Sequence, residues 1–218
     1  MDRGSAKNSA GDRVYRAIKA SVIAYAFPQG RRIYLQPLAD ALGVSTTPVR
    51  EAMNRLAAED LVIKAPRKGF IAMSLSEENL LGHYALTRLL LAKELLGLDA
   101  AARRQLPEFE PIAVVLYKLN RRVLSDVNTL AAYTGEIFSH FASLGENAYV
   151  VGAIHRSNDH LYYIRTVECR HLESVQHELM LLCELLLANR CEELLQAIHR
   201  YHDERIEMLP MLLDVARR

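Results

Sequence analysis

Residues 41–56 read "ALGVSTTPVREAMNRL", where three hydroxyl side chains, Ser45, Thr46 and Thr47, come just ahead of a proline and of Arg50. Hydroxyls at the start of a helix either cap its unpaired N–H groups or hold phosphate oxygens. A guanidinium in the first turn can clamp a phosphate, or it can grip guanine O6 and N7 with two hydrogen bonds, discriminating between bases by roughly 1–3 kcal/mol. A second basic set follows at "KAPRKG", residues 64–69. There Lys64, Arg67 and Lys68 supply attraction that salt weakens, and Gly69 lets backbone approach a minor groove. Alone, Arg50 reads as a solvated helix residue paired with a glutamate. Hydroxyls, arginine and basic tip together point to the phosphates and base edges of double-stranded DNA.

The elements that would position these groups are legible on either side. Val14, Ile18, Val22 and Ile23 fall at helical spacing, so a helix is expected from Asp12 to Ala26, ended by "FPQGRRI". A short helix from Gln36 or Pro37 to Leu42 stops at Gly43, and the next starts between Ser45 and Thr47, with Pro48 tolerated in its first turn. In that helix Val49, Ala52, Met53 and Leu56 make one buried stripe, leaving Thr46, Thr47, Arg50, Asn54 and Arg55 on other faces. Two helices joined by a glycine turn form a helix-turn-helix whose second helix presents its N-terminal end to the major groove. "DLVIKAPRKGFIAM" then reads as a β-hairpin with a basic tip, a wing.

From Ser76 the pattern changes to long helices. Ser76, Pro107–Glu108, Asn128, Glu146–Asn147, Arg170–His171 and Asn189–Arg190 mark boundaries of six helices with no convincing strand. Leu80, Tyr84, Leu91, Leu95, Phe138, Phe141, Ile154, Leu161, Leu179, Leu182, Leu194 and Ile198 are among the expected core. The fold class expected is mainly α: an N-terminal winged helix-turn-helix with a small hairpin wing, then an all-α antiparallel bundle. The expected divisions are a disordered lead-in over 1–11, a DNA-binding domain over 12–74 and a helical domain over 75–218.

Charge follows the same division. Residues 1–74 hold 12 Lys/Arg against 6 Asp/Glu and residues 75–218 hold 15 against 20, so the net +1 conceals a +6 half and a −5 half. The basic half suits a polyanion. Half of the residues are apolar, yet no run approaches the roughly 20 apolar residues of a membrane span. "MDRGSAKNSAGDR" lacks the apolar segment of a secretory signal, and Cys169, Cys183 and Cys191 have neither the even count nor the spacing of a disulfide framework or zinc knuckle. A cytoplasmic location, with no membrane partner, is expected.

The run "LADALGVSTTPVREAMNRLAAEDLVIKAPRKGFIAM" resembles the DNA-binding domain of the GntR family of bacterial transcription regulators, and the likeness covers residues 12–73. It implies DNA contacts from Ser45, Thr46, Thr47, Arg50 and Gly69, with Gln36 opening the first helix of the motif and Arg67 and Lys68 on the wing. Two departures bear on the preferred operator bases: many members carry arginine at the Thr46 position, and a charged residue is common at the Gln36 position.

The helical half is similar to the FCD-type effector domain of one GntR branch, which implies a homodimer, a palindromic operator and a cavity for a small organic acid, often held through a divalent ion such as zinc by one Asp and three His. Arg88, Asn147, His177 and His199 are the effector candidates by this likeness. Aligning on Asn147 puts Thr134 and Phe138 where an Asp and a His are expected, and neither can ligate. His177 and His199 keep the family's 22-residue spacing, and Glu136 with His140 would restore an i, i+4 pair if the chain were locally shorter. His177 and His199 read equally as core histidines or direct effector contacts, and Arg88 as a carboxylate fork or a surface ion pair. His83, His155, His160, His171 and His202 read as surface or structural, and "HRSNDH" at 155–160 is discounted as a metal site because helical turns alternate its faces.

The expected function is ligand-responsive, sequence-specific regulation of transcription, by repression in the family's commoner habit. One alternative keeps the DNA role and leaves the bundle only for dimerisation. Another, a metal-dependent helical enzyme on Glu136, His140, His177 and His199, lacks any nucleophile elbow, phosphate loop or HExxH run.

Overall fold

The computed structural model describes residues 10–106, 109–120 and 126–217. The chain divides into two compact units, Met1–Leu75 and Ser76–Arg218. The expected disordered lead-in lies for the most part outside the described residues, and its last two residues, 10 and 11, are already helical.

The first unit comprises α1 (Ala10–Ile23), β1 (Arg32–Ile33), α2 (Leu35–Leu42), α3 (Thr46–Ala58), β2 (Val62–Ala65) and β3 (Gly69–Ala72). Gly43 closes α2 in the left-handed region at φ 64°, and the Gly43 and Val44 N–H groups return to the Asp40 and Ala39 carbonyls at 3.2 and 3.0 Å. A side chain with a Cβ is strained in that conformation, which is why glycine stands at the turn. The stripe Val49, Ala52, Met53 and Leu56 is buried as read, against Val14, Ile18, Ala39 and Phe70. The wing is antiparallel, with Val62 opposite Ala72 and Ala65 opposite Gly69. A two-residue strand that the sequence reading missed, β1, pairs with β3, giving the order β1-β3-β2.

Polar contacts tie α1 to α3. Tyr15 Oη donates to the two Glu59 carboxylate oxygens at 2.6 and 2.7 Å, and Lys19 Nζ reaches Glu59 at 3.0 Å. Arg55 lies 3.8 Å over the Tyr15 ring and pairs with Asp12 at 3.0 Å. Arg55 is thereby committed to the fold, which leaves Arg50 as the outward arginine of α3.

The second unit is helical throughout its described residues: α4 (Glu77–Gly97), α5 (Ala100–Gln105), α6 (Glu110–Asn120), α7 (Val127–Ser143), α8 (Ala148–His171), α9 (Val175–Leu187) and α10 (Cys191–Ala216). Helix α8 packs against α4, α7 and α10, while α9 lies against α6 and α10. Ser76 caps α4 by accepting from Asn79 N at 3.3 Å, as read. Helix α7 starts earlier than Asn128, because Asp126 accepts from Thr129 N at 3.0 Å and is the better cap. The short α5 makes seven described helices where six were expected; six residues are too few to show a periodic face. The start expected at Pro107–Glu108 lies outside the described residues.

The α1–α3 link has a measurable consequence. Tyr15→Phe removes a donor to a half-buried carboxylate while keeping the ring, and is expected to cost about 1–2 kcal/mol in urea unfolding. Arg55→Ala, on an exposed pair, should cost under about 1 kcal/mol.

Candidate functional sites, a basic winged face and a buried polar cluster

Helix α3 starts at Thr46 with Ser45 as its cap residue, yet the Ser45 hydroxyl makes no capping hydrogen bond. It is therefore not spent on the helix and can meet a phosphate. Thr47 and Arg50 are exposed and Thr46 is half-buried. The Arg50 side chain has neither an ion pair nor a hydrogen bond among the described residues, and the same holds for the side chains of Lys64, Arg67 and Lys68. The Arg50–Glu pair considered from sequence does not form.

Arg50 and Asn54 of α3 face the wing across a cleft of about 430 Å³ that Lys64, Arg67 and Gly69 also line. The wing tip is set by two positive φ angles, 62° at Arg67 and 79° at Gly69. A Cβ on Gly69 would stand 3.7 Å from Arg32 Nε and Nη2, so the Arg32 guanidinium lies along the same tip. Arg32 also covers the Tyr34 ring at 5.3 Å. Arg32 and Asn54 are two members of this face that were not singled out from sequence; Arg32 escaped notice because the strand that carries it is so short. Gln36 is exposed on α2 and donates to Asp40 at 2.8 Å, one turn along its own helix. The first unit thus offers hydroxyls, a helix N-terminus and free cations on one side, which is the chemistry of phosphate anchoring with base readout.

In the second unit the candidates do not converge. His177 on α9 and His199 on α10 are both exposed. Their spacing matched a metal pattern, but separation along the chain does not decide which face of each helix a residue occupies. Thr134 and Phe138 are fully buried on α7, and Glu136 and His140 pair with each other at 3.7 Å on its more exposed side. No group of three or more His, Cys, Asp or Glu that could hold a metal occurs among the described residues. The residues present do not fit a zinc-like ion. Asn147 is consumed as the cap of α8, accepting from Tyr149 N and Val150 N at 3.0 and 3.4 Å. Arg88 donates to Asp203, joining α4 to α10.

A different set is gathered inside. His202 on α10, read from sequence as surface or structural, is fully buried, together with Tyr84 on α4, Arg165 and Glu168 on α8 and Arg205 on α10. Tyr84 Oη donates to Glu168. Arg205 pairs with Glu178 at 2.5 Å, approaches Glu168 at 3.6 Å and stacks on Tyr201 at 3.9 Å. Burial raises the Glu168 pKa, and Arg205 and Arg165 oppose it. His202 sits 5.2 Å from the Phe138 ring, and its Nδ1 lies 2.7 Å from the Ile198 carbonyl, so Nδ1 carries the proton and Nε2 is a bare acceptor. Burial, with the positive charge of Arg165, Arg205 and Arg88, pushes its pKa down to about 3, although the Ile198 bond acts the other way. Nearby, His83 stacks on His160 at 4.3 Å and contacts Ser157 Oγ at 3.1 Å; burial and the neighbouring His160 and Arg165 lower its pKa to about 4. The inward side of "HRSNDH" therefore meets α4.

Comparison with known proteins bears on the family and the fold. Residues 10–71 match the family described as bacterial regulatory proteins, gntR family. The chain is 26% identical over 192 residues to the Nta operon transcriptional regulator of Aminobacter aminovorans, covering 86% of this chain and 90% of that one. It is 37% identical over 86 residues, 38% of this chain and 50% of the other, to an HTH-type transcriptional regulator of the TAR-I ttuE-ttuC' intergenic region of Agrobacterium vitis. The fold is that of a GntR transcriptional regulator from Rhodococcus sp. RHA1, with a TM-score of 0.73, 19% identity and coverage of 94% and 97% of the two chains. E. coli McbR/YncC gives a TM-score of 0.66 at 17% identity, with coverage of 93% and 98%.

Two outcomes follow for the helical unit. Asn147→Ala should lower stability by about 1 kcal/mol, with Asn147→Asp nearly neutral, because the side chain caps a helix. Acid should also weaken the unit. The folded-state pKa of His202 lies below its unfolded value, so the unfolded chain binds the extra proton between about pH 6.5 and pH 3, and stability falls as pH falls through that window by up to about 1.4 kcal/mol per pH unit. Unfolding of His202→Gln followed over that range should show a shallower decline.

Proposed function

Because the chain belongs to the GntR family of DNA-binding transcription regulators, we propose that it binds a palindromic operator as a homodimer in the cytoplasm, represses transcription there and answers to a small organic acid held in its helical domain. The observation that carries the DNA-contact assignment is the unspent α3 end. Ser45, Thr46 and Thr47 hold phosphate oxygens, Arg50 reads base edges, and Arg67, Lys68 and the Gly69 backbone follow the adjacent groove. Gln36 opens α2 beside them. The domain division adopted for this reading is 12–74 for DNA and 75–218 for effector and dimer contacts.

Support for a second copy comes from α4, where Leu86, Leu89 and Leu96 expose 40%, 67% and 67% of their surface at i, i+3 and i+10. Leucines repeating along one helical stripe lose contact with water only if a partner covers them. No described helix is long and apolar enough to cross a membrane. A second reading, in which the bundle only dimerises, is favoured by the exposure of His177 and His199 and by Thr134 and Phe138 standing where ligands would be needed. Ligand-dependent thermal stabilisation separates the two, since a ligand that binds only the folded state raises apparent stability.

Selection of sites from random duplex DNA by the purified protein tests the DNA assignment. A short palindrome is expected. Arg50→Ala should lose about 1–3 kcal/mol and relax specificity at one position of each half-site, whereas Lys68→Ala should weaken all sequences alike and reduce the salt slope by about 1. Absence of any enrichment at moderate salt would sink the proposal.

A further inference from the structure

Arg165 is 1% exposed, and only part of its guanidinium is used. Nη1 donates to Asn158 Oδ1 at 2.9 Å, and Asn158 is itself held by the Gly135 carbonyl at 2.8 Å and Ser139 Oγ at 3.0 Å. Nε and Nη2 have no hydrogen-bond or ion-pair partner among the described residues. Those two nitrogens form one edge of the guanidinium, with parallel N–H vectors that match the two oxygens of a carboxylate. Arg205, the other buried arginine, differs: Glu178, Glu168 and Glu204 all stand within 3.6 Å of it. The neutral amide of Asn158 offsets no charge. Glu168, one turn along α8, offsets the charge in part, but it is shared with Arg205 and bonds neither Nε nor Nη2, so this edge of the guanidinium is left open.

An aromatic ring and a glycine pack around it. The guanidinium carbon lies 5.3 Å from the Phe138 ring centroid, and Gly135 backs the Nη1 side, where a Cβ would come within 3.5 Å. Thr87 Oγ1 on α4 and His202 Nε2 on α10 are also buried without partners. Phe138 is in contact range of both Arg165 and His202, and occupies the position where the family likeness implies a metal-ligating histidine.

We propose that the helical domain binds a small monocarboxylate directly and without metal, its two oxygens docked on the Nε–Nη2 edge of Arg165. This deepens the effector reading above and rests on it. The same guanidinium takes over the positive charge that a divalent ion supplies elsewhere, which accounts together for the apolar residue at position 138, the outward His177 and His199, and the open arginine edge.

The test uses the full chain dialysed against EDTA, with sodium acetate, lactate, glycolate and benzoate titrated against matched sodium chloride, read by thermal shift and calorimetry. At least one acid at about 10 mM should raise the melting temperature of the wild type. Arg165→Met, which puts a hydrocarbon of similar length in place of the two-pronged donor, should bind that acid at least tenfold more weakly. Arg165→Lys, which keeps the charge and loses the two-pronged edge, should also bind more weakly, and it serves if the methionine variant does not fold. Equal binding by wild type and both variants overturns the Arg165 assignment and leaves the effector reading standing. Binding that vanishes in EDTA and returns with zinc overturns the metal-free claim. No response to any acid, by a protein that still selects operator DNA, overturns both this proposal and the effector reading.

Discussion

Burying a guanidinium is the constraint around which the helical unit is arranged. Arg205 is 1% exposed on α10, and burial works against its charge, yet Tyr201, Glu168 and Glu178 together hold its pKa above the ordinary arginine value. These partners come from three helices, α10, α8 and α9, and Glu168 in turn accepts from Tyr84 on α4. Hydrophobic residues such as Leu91, Phe141, Ile154 and Leu182 supply most of the favourable burial, but apolar contact is non-directional. The ionic and hydrogen-bonded set fixes which helical faces meet, because each of its members is costly to bury without the others. Arg165 stands one helical turn from Glu168 and feels its charge without bonding it, so its Nε–Nη2 edge remains an open pair of donors inside the bundle.

The winged unit is held differently. Its outward side keeps Arg50, Lys64, Arg67 and Lys68 in water, while ionic contacts among the described residues gather at the α1–α3 seam, where Asp12 takes Arg55 and Glu59 takes Tyr15 and Lys19. Leaving those cations unpaired gives the face a field rather than a set of neutralised pairs. It also separates two arginines of one helix into different jobs: Arg55 lies over a tyrosine within the fold, and Arg50 faces the cleft.

How much of this could be read from sequence depended on whether the signal was local. The helix-turn-helix was legible because a stripe at i, i+3, i+4 and i+7, a left-handed glycine and a basic hairpin tip are each set within a few residues. Ser76 and Asn147 were visible as boundaries for the same reason, and the Asn147 side chain caps α8. The buried cluster was not legible, since its members lie on four helices and each alone resembles an ordinary polar residue on a helix. His199 and His202 show the difficulty: three residues apart on α10, one is exposed and the other fully buried, and nothing in the local sequence ranks them. The 22-residue interval from His177 leads to the exposed one, because an interval across two helices carries no information about rotation.

Helix α4 connects the two kinds of chemistry along the chain. It begins four residues after the last wing strand, at the Ser76 cap, and its first three turns carry His83, Tyr84, Thr87 and Arg88. Tyr84 bonds Glu168, Thr87 is buried without a partner, and Arg88 reaches Asp203 on α10. A carboxylate that neutralised Arg165 would change the electrostatic setting of Glu168 and so of the Tyr84 bond, at the end of α4 nearest in sequence to the wing. Such a ligand alters operator affinity only to the extent that it favours one arrangement of this helix over another. Coupling therefore requires no long relay of side chains: the element that would sense the anion is continuous with the segment that follows the DNA-binding unit, and what remains to be supplied is a difference in free energy between two positions of a single helix.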